Sequence, residues 1–169
     1  MISNASHLLY KAPIVDMVDR KMTGPGGTSY GLGEAGYDIR IKQEIIFRPQ
    51  KLRNGVTKFI HIVDDWGDPG RFALASAIEQ FQMPDDLVGI VHDKSTWARR
   101  GLSVLNTVIE PGWKGFLTLE LVYHGEGELI IPAGSGIAQV VFTETQCRVA
   151  YSGKYQNQED KPVPARDSI

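Results

Sequence analysis

The chain has 169 residues, of which 42% are hydrophobic, and its formal net charge is −2. This size and composition suit one domain with a real core, and the charge provides no overall attraction to nucleic acid or to an anionic membrane. The apolar runs are shorter than the roughly 20 residues that span a bilayer, and the N-terminal residues lack the pattern of a signal peptide. Cys147 is the sole cysteine, which excludes an intramolecular disulfide and a cysteine-rich zinc site. We therefore expect a cytoplasmic protein that binds neither nucleic acid nor membrane.

Strand signals dominate the predicted elements. Residues 14–22 have the apolar spacing of a short helix, and residues 31–36, which end a glycine-dense stretch at 24–36, predict a mobile loop. Strand-like runs separated by turn signals then follow at 37–47, 57–63, 71–77, 86–92, 102–110, 115–123, 128–132 and 136–142. Many short strands, with no long helical pattern between them, predict an all-β sandwich, jelly roll or barrel. From Tyr151 onward the chain is polar and contains prolines, which predicts a tail that is ordered only when something binds it.

Three candidate ligand motifs do not fit the context that each requires. Residues 31–36 match G-x-G-x-x-G, but a loop precedes them and a strand follows, which does not fit a dinucleotide fold. Residues 64–68 cluster carboxylates without the spacing of a Ca²⁺ loop, and a solvated hairpin turn is the better interpretation. The histidines are scattered and too few cysteines are present for a catalytic zinc, so a carboxylate must activate water if the protein is a hydrolase.

Residues 93–101 predict a short helical turn, capped by Asp93 or Ser95 and ended by Gly101. Backbone N–H groups at a helix start bind anions, and Ser95 and Arg99 project from the same face of the turn. The turn could therefore surround a phosphate chain. It could equally be a capped surface helix whose cations are solvated.

Glu120 lies in the apolar run F-L-T-L-E-L-V, which begins at Phe116. If the leucines of this strand enter the core, alternation places Glu120 on the second face together with Thr118. A partly apolar face would raise the pKa of a carboxyl group and make it a proton carrier near neutral pH. The alternative is an ordinary outward-facing strand glutamate in solvent.

An ordered series of motifs connects these features to a known family. The motifs are A-L-A-S-x-x-E, M-P-D-D-L-V-G, K-S-T-W-A-R-R-G-L, I-E-P-G-W-K-G, L-T-L-E-L and I-P-A-G-x-x-I-A-Q-V-V-F, with Asp38 in an early Y-D-I-R element and a late K-Y-x-x-Q. Together they cover residues 36–158. The chain resembles the dCTP deaminases and, more distantly, the trimeric dUTPases of the same superfamily.

The resemblance implies a distorted β jelly roll in residues 1–150 and a tail, 151–169, that closes over the active site. It also implies a homotrimer with active sites between subunits, zinc-free deamination of dCTP to dUTP and ammonia, and Mg²⁺ carried on the substrate triphosphate.

Roles for individual residues are likewise implied by position in the motifs. Glu120 matches the catalytic glutamate that takes a proton from the water attacking C4 of cytosine, Ser95 the serine beside the reacting centre, and Arg99 the arginine that supports it electrostatically. The positions that match substrate-binding residues are Lys94, Thr96, Glu110, Trp113, Gln139, Tyr151, Lys154 and Gln158.

This chain departs from the family pattern at three places. Lys94 stands where the family usually has arginine, so a planar two-pronged contact is lost. Glu110 stands where the family usually has aspartate. Residues 102–110 are about two residues shorter than the usual deaminase segment, which shapes the base pocket.

Three functions follow from these features. The first is dCTP deamination. The second is dUTP diphosphatase activity, alone or combined with deamination, and the shortened segment and Glu110 keep it open. The third is a trimeric, non-enzymatic module that binds a nucleotide or a protein, against which the intact set of Ser95, Arg99 and Glu120 argues.

Overall fold

The computed structural model describes residues 1–105 and 107–167. Within them the helices are α1 (Ala5–Lys11), α2 (Ser95–Ala98) and a 3-10 helix at Pro25–Gly27. The strands are β1 (Ile2–Ser3), β2 (Lys21–Thr23), β3 (Ser29–Leu32), β4 (Tyr37–Arg40), β5 (Ile45–Lys51), β6 (Thr57–Val63), β7 (Trp66–Pro69), β8 (Phe72–Gln82), β9 (Leu87–Asp93), β10 (Leu102–Val104), β11 (Val108–Ile109), β12 (Lys114–Tyr123), β13 (Leu129–Ile131) and β14 (Gly136–Glu144).

The strands form three antiparallel sheets. A seven-stranded sheet has the order β11-β9-β14-β4-β3-β2, with β1 also paired to β14. A three-stranded sheet has the order β10-β12-β8, and a four-stranded sheet has the order β13-β5-β6-β7. The all-β prediction is therefore confirmed. In this part of the chain no helix is long and apolar enough to cross a membrane.

The core is built by strands that bury alternate side chains. On β8 the inward positions are Ala73, Ala75, Ala77 and Phe81, and on β12 they include Leu119 and Leu121. A fully buried leucine contributes about 1.5–3 kcal/mol relative to an exposed one. Because successive side chains of a strand point to opposite faces of the sheet, burial of this set determines which side chains lie on the opposite face.

The predicted run 37–47 is divided between two sheets, so the prediction of one strand is wrong. β4 belongs to the seven-stranded sheet and β5 to the four-stranded sheet. Between them Gln43 is buried, accepts a hydrogen bond of 2.8 Å from the Ser76 N–H and donates one of 3.1 Å to its hydroxyl. These bonds hold the crossing segment against β8, where alternation in the sequence gives no sign of a break.

The other predicted strands are found, with shifted ends. The run 102–110 becomes β10 and β11, and Asn106 lies outside the described residues. The predicted hairpin turn at residues 64–68 is confirmed, because Asp64 and Asp65 form the turn between β6 and β7.

The helix predicted at 14–22 is wrong. Ile14 pairs with Phe81 of β8, and the Val15 N–H donates to the Gln80 carbonyl at 2.9 Å. Asp16 then takes a left-handed conformation with φ of 51°, which ends any helical path. Tertiary pairing with β8 overrides the local spacing, and the helix forms earlier, as α1.

The loop predicted at 31–36 begins later than expected, since Gly31 and Leu32 belong to β3 and the connection to β4 is residues 33–36. The glycines also serve close packing. A Cβ at Gly36 would lie 2.2 Å from the Val140 carbonyl oxygen, so β14 can approach only a glycine there.

The helical turn predicted at 93–101 is present as α2, and Gly101 follows it with φ of 86°. The predicted cap is wrong. Lys94 is the N-cap and makes no side-chain cap hydrogen bond, while the Asp93 carboxylate accepts a bond of 2.7 Å from the Val104 N–H. Buried Trp97 fixes the turn to the seven-stranded sheet, because its indole N–H donates to the Gly136 carbonyl at 2.7 Å.

We predict that Trp97→Phe lowers the free energy of unfolding by about 2–4 kcal/mol, because a smaller ring leaves a void and the Gly136 carbonyl loses its buried donor. The matched control is Trp66→Phe, since Trp66 is 76% exposed, and we expect a change within about 0.5 kcal/mol. Urea unfolding of both variants measures the difference. Equal midpoints for the two variants would contradict the anchoring role.

Candidate active site

A cavity of about 660 Å³ opens beside the three-stranded sheet. One wall comes from β8 and β12, a second from the end of β11 and the turn after it, and a third from the C-terminal stretch. The lining residues are Phe72, Leu74, Thr107, Val108, Ile109, Glu110, Trp113, Leu117, Thr118, Glu120, Tyr151, Tyr155, Gln158, Val163, Pro164 and Ala165. This mostly apolar lining with a few convergent polar groups is typical of a small-molecule site.

Glu120 enters this cavity from the middle of the central strand β12. Its neighbours in the core direction, Leu119 and Leu121, are buried, while Glu120 itself is half-buried on the opposite face. Across the sheet it pairs with Leu74 of β8, and its carbonyl accepts from the Leu105 N–H at 2.9 Å. The sequence prediction of its face is confirmed.

The surroundings of Glu120 favour its protonated form. Burial raises the pKa of the Glu120 carboxyl above its ordinary value, only partly opposed by a backbone hydrogen bond. In the described part of the chain no salt bridge includes this carboxylate. The predicted direction of the pKa shift is thus confirmed.

Glu110 and Trp113 come from the turn before β12. The Trp113 N–H donates to the Glu110 carbonyl at 3.1 Å, which closes the turn. The Trp113 ring lies on Phe81, 6.1 Å between centroids, and its indole N–H donates to the Tyr155 carbonyl at 2.7 Å. The cavity therefore contains a second carboxylate, exposed Glu110, besides Glu120.

The C-terminal stretch packs on the body of the same chain. The Tyr151 N–H donates to the Pro111 carbonyl at 2.8 Å, and the Gln156 side chain bonds the Lys114 N–H and the Gly112 carbonyl. Tyr151 and Gln158 line the cavity. Lys154 does not; its ammonium group lies over the Tyr155 ring, 5.3 Å from the centroid, and bonds the Arg166 carbonyl.

The remaining predicted site residues lie apart from this cavity, on α2 and the seven-stranded sheet. Ser95, the first residue of α2, and Arg99, its C-cap residue, are exposed, with Thr96 between them. None of the described residues of α2 lines the cavity, and neither does Gln139 of β14. One chain therefore carries two separate groups of predicted residues, one around Glu120 and one around α2.

Lys94 and Gln139 belong to a polar cluster beside α2. The Lys94 ammonium group forms an ion pair with the Asp38 carboxylate and donates to the Ser29 hydroxyl at 2.9 Å. Asp38 is 4% exposed and also accepts from the Ser29 hydroxyl at 2.8 Å. Gln139 lies between Asp38 and His92 in the strand register. Lys94, which the sequence predicts to bind the substrate, is thus paired with the buried carboxylate of Asp38.

Several cavity residues were not singled out from the sequence. Strand alternation already places Thr118 on the face of Glu120, and that signal could have identified it. Phe72 and Leu74 follow from pairing with β12, which requires the register. Val163, Pro164 and Ala165 carry no sequence signal, because their position depends on how the C-terminal stretch folds back.

Comparison with known proteins gives a consistent answer. The sequence model of a family described as dCTP deaminase-like matches residues 18–145. The chain belongs to the dCTP deaminase-like family. It is 38% identical to the dCTP deaminase of Campylobacter curvus over 91% of this chain and 90% of that protein. It is 37% identical to the dCTP deaminase of Chlamydia abortus over 84% of this chain and 82% of that protein.

Solved structures show the same fold at lower identity. A dUTPase from Staphylococcus bacteriophage 80alpha superposes with a TM-score of 0.51 at 17% identity, over 72% of this chain and 77% of that one. A second structure of that phage dUTPase, with dUpNHpp, gives a TM-score of 0.50 at 16% identity, over 72% of this chain and 87% of that one. The predicted jelly roll of the dUTPase type is therefore confirmed.

The raised pKa of Glu120 predicts a pH-dependent contribution to stability. The folded protein holds the proton more tightly than the unfolded chain, so stability is lost as pH rises from the ordinary value of 4.5 through the raised pKa. Glu120→Gln removes this loss. We expect its free energy of unfolding, relative to the unsubstituted protein, to increase between pH 4 and pH 7.

Urea unfolding of the two proteins at several pH values measures this difference. Exposed Glu126→Gln, in the loop between β12 and β13, is the matched control, for which we expect a flat difference curve. A flat curve for Glu120→Gln as well would contradict burial of the carboxyl group.

Proposed function

We propose that this protein deaminates dCTP hydrolytically, releasing dUTP and ammonia. The proposal rests on Glu120, a half-buried carboxylate with a raised pKa. Glu120 lies in a nucleotide-sized cavity, and the chain belongs to the dCTP deaminase-like family. The identity of 37–38% with dCTP deaminases over most of the chain supports the substrate and the reaction.

In this mechanism Glu120 acts as general base and then as general acid. Its carboxylate takes a proton from a water molecule as the water oxygen attacks C4 of cytosine. The proton taken from water passes to N3 of the ring. The same group then takes the proton of the new C4 hydroxyl and delivers it to the C4 amino group, which leaves as ammonia while the C4–O bond becomes the carbonyl of uracil. A raised pKa suits both steps, because the group must accept and release a proton near neutral pH.

We propose that each active site is completed by a second copy of the chain within a homotrimer. Ser95 and Arg99 match the reacting-centre residues of the family but lie outside the Glu120 cavity of their own chain. From a neighbouring copy, Ser95 would contact the reacting centre and Arg99 would stabilise developing negative charge.

The triphosphate has its own proposed partners. Lys94, Thr96 and Gln139 from the α2 region, and Lys154 and Gln158 from the C-terminal stretch, would contact the phosphates and sugar. Tyr151 and Trp113 would enclose the nucleotide. We assign residues 1–150 to one β domain and residues 151–169 to a tail that closes over the site, of which residues 168–169 lie outside the described part.

Mg²⁺ is proposed to arrive on the triphosphate, because phosphate oxygens and water are ligands that it prefers. Residues 1–105 and 107–167 contain no group of three or more His, Cys, Asp or Glu side chains that could hold a metal ion, so this donor set fits a cation carried by the substrate. We also propose a cytoplasmic location, which suits a deoxynucleotide substrate and an exposed free Cys147.

A second activity, hydrolysis of dUTP to dUMP and diphosphate, is favoured by one observation. Glu110 lines the same cavity as Glu120, so a second carboxylate is available to orient water. Incubation with dCTP and Mg²⁺, with ammonia and diphosphate measured separately, distinguishes the activities. Ammonia alone supports deamination, and both products support a bifunctional enzyme. Diphosphate from dUTP without ammonia from dCTP would refute deamination.

We predict that Glu120→Gln lowers the rate of ammonia release by about 10²-fold or more, because general acid–base transfer is lost while the shape of the side chain is kept. Binding of dCTP, measured by calorimetry, should remain. Glu126→Gln, which changes an exposed carboxylate outside the cavity, should keep normal turnover. Near-normal turnover of Glu120→Gln would remove this residue from the mechanism.

We predict that inactive Glu120→Gln and Arg99→Ala chains regain activity when they are co-expressed. Random mixing produces a site with an intact Glu120 from one chain and an intact Arg99 from another in roughly one case out of four. Each variant expressed alone is the control. Activity no higher than that of the single variants would contradict shared sites.

A further inference from the structure

The C-terminal stretch meets β12 at one point where the backbones are in direct contact. Gln158 forms an isolated parallel bridge with Gly115, the Phe116 N–H donates to the Gln158 carbonyl at 3.1 Å, and the Gln158 N–H donates to the Lys114 carbonyl at 3.3 Å. Gly115 has φ of 135°, and a Cβ there would lie 2.5 Å from the Gln158 nitrogen. Glycine at position 115 of β12 therefore allows the backbone of the C-terminal stretch to approach the strand.

Thr118 continues this contact toward the cavity. Its hydroxyl oxygen accepts hydrogen bonds from the Gln158 side-chain amide and from the Val163 N–H, the latter at 3.0 Å. The side chain is buried, and both acceptor positions of the hydroxyl are used. One hydroxyl therefore fastens the stretch at Gln158 and again at Val163.

The fastened residues lie over the proposed general base. Val163, Pro164 and Ala165 line the cavity that contains Glu120, and Thr118 is two positions from Glu120 on the same face of β12. Removing these residues would open that wall of the cavity to water. The raised pKa of Glu120, which is caused by burial, is consistent with such a cover.

We propose that Thr118 is a positioning residue whose hydroxyl fastens residues 158–163 of the same chain over the cavity and thereby keeps water away from Glu120. The catalytic consequence rests on the proposed deaminase function, whereas the docking of the stretch does not. Thr118 touches the closing segment and not the reacting atoms.

Thr118→Val tests the docking, because valine keeps the shape and removes the acceptor. Loss of two hydrogen bonds should accelerate amide exchange of Val163 by roughly 5- to 30-fold. Thr118→Ser retains the hydroxyl and should keep the slow exchange. Thr57→Val, the same change at an exposed position of β6, is the matched control and should leave Val163 unchanged. Unchanged exchange in Thr118→Val would overturn the proposal.

The pKa of Glu120 gives a readout that a purely structural contact elsewhere would not move. In Thr118→Val we expect NMR titration of the Glu120 carboxyl carbon to show a pKa closer to the ordinary value, because water now reaches the group. The acid limb of the kcat profile for dCTP should move to lower pH, with kcat reduced more than KM is raised, and Thr118→Ser should restore both. A Glu120 pKa equal to that of the unsubstituted protein would overturn the proposal.

Val163→Pro provides a second variant if Thr118→Val does not fold. It removes the N–H donor and leaves the Thr118 hydroxyl in place, in a stretch outside the sheets, between Pro162 and Pro164. It should shift the Glu120 pKa in the same direction, and an unchanged pKa in this variant would overturn the proposal. Where Thr118→Val folds, the double variant should exceed Thr118→Val by little, because both remove the same bond, and additive shifts would also overturn the proposal. If the unsubstituted protein releases no ammonia from dCTP, the proposed function fails, while the exchange and carboxyl titrations still decide the role of Thr118.

Discussion

The two-sided burial of β12 is the constraint on which the rest of the structure depends. Leu119 and Leu121 enter the core, and the pleat of the strand then leaves Thr118 and Glu120 on the cavity face. A shift of one residue in the pairing with β8 would put a carboxyl group into the core and leucines into the cavity. The free energy of core burial therefore fixes the register, and the register in turn fixes the position of Glu120.

The α2 region is held by different forces. Buried Trp97 and its hydrogen bond to Gly136 attach a short helix that could not be stable alone. Ser95 and Arg99 consequently occupy fixed but exposed positions, at a distance from the cavity of their own chain. A rigid attachment would suit the proposed role of these residues in binding, since a loose turn would lose binding free energy through ordering.

The sequence predicted well whatever depends on local periodicity. The strands of the core, the face of Glu120 and the turn before Gly101 follow from alternation and from turn residues. The helix placed at 14–22 failed because Ile14 and Val15 pair with β8, which no local pattern reveals. The split of the run 37–47 depends on Gln43 bonding to Ser76, a contact across 33 positions of the chain.

The site residues were predicted from family motifs and not from physical reasoning. Cavity residues that lie outside those motifs were missed for the same reason. Glu110, Trp113, Tyr151 and Gln158 were assigned by resemblance, and they do line the cavity with Glu120. The wall formed by Val163, Pro164 and Ala165 was missed, because the polar, proline-containing composition of the stretch predicted a tail that is ordered only when something binds it. Direct backbone contact at Gly115, which decides the fold of that stretch, becomes visible only in three dimensions.

The ion pair between Lys94 and Asp38 has a consequence for any anion that approaches α2. The ammonium group is already bonded to a buried carboxylate and to the Ser29 hydroxyl, so its positive charge is largely neutralised locally. A phosphate that contacts Lys94 must compete with Asp38 or share the lysine with it. The binding free energy that Lys94 contributes is consequently the difference between its ion pair with the phosphate and its ion pair with Asp38. It also includes repulsion between the phosphate and Asp38. Binding of an anion at Lys94 is therefore favoured to the extent that the anion carries more negative charge than one carboxylate.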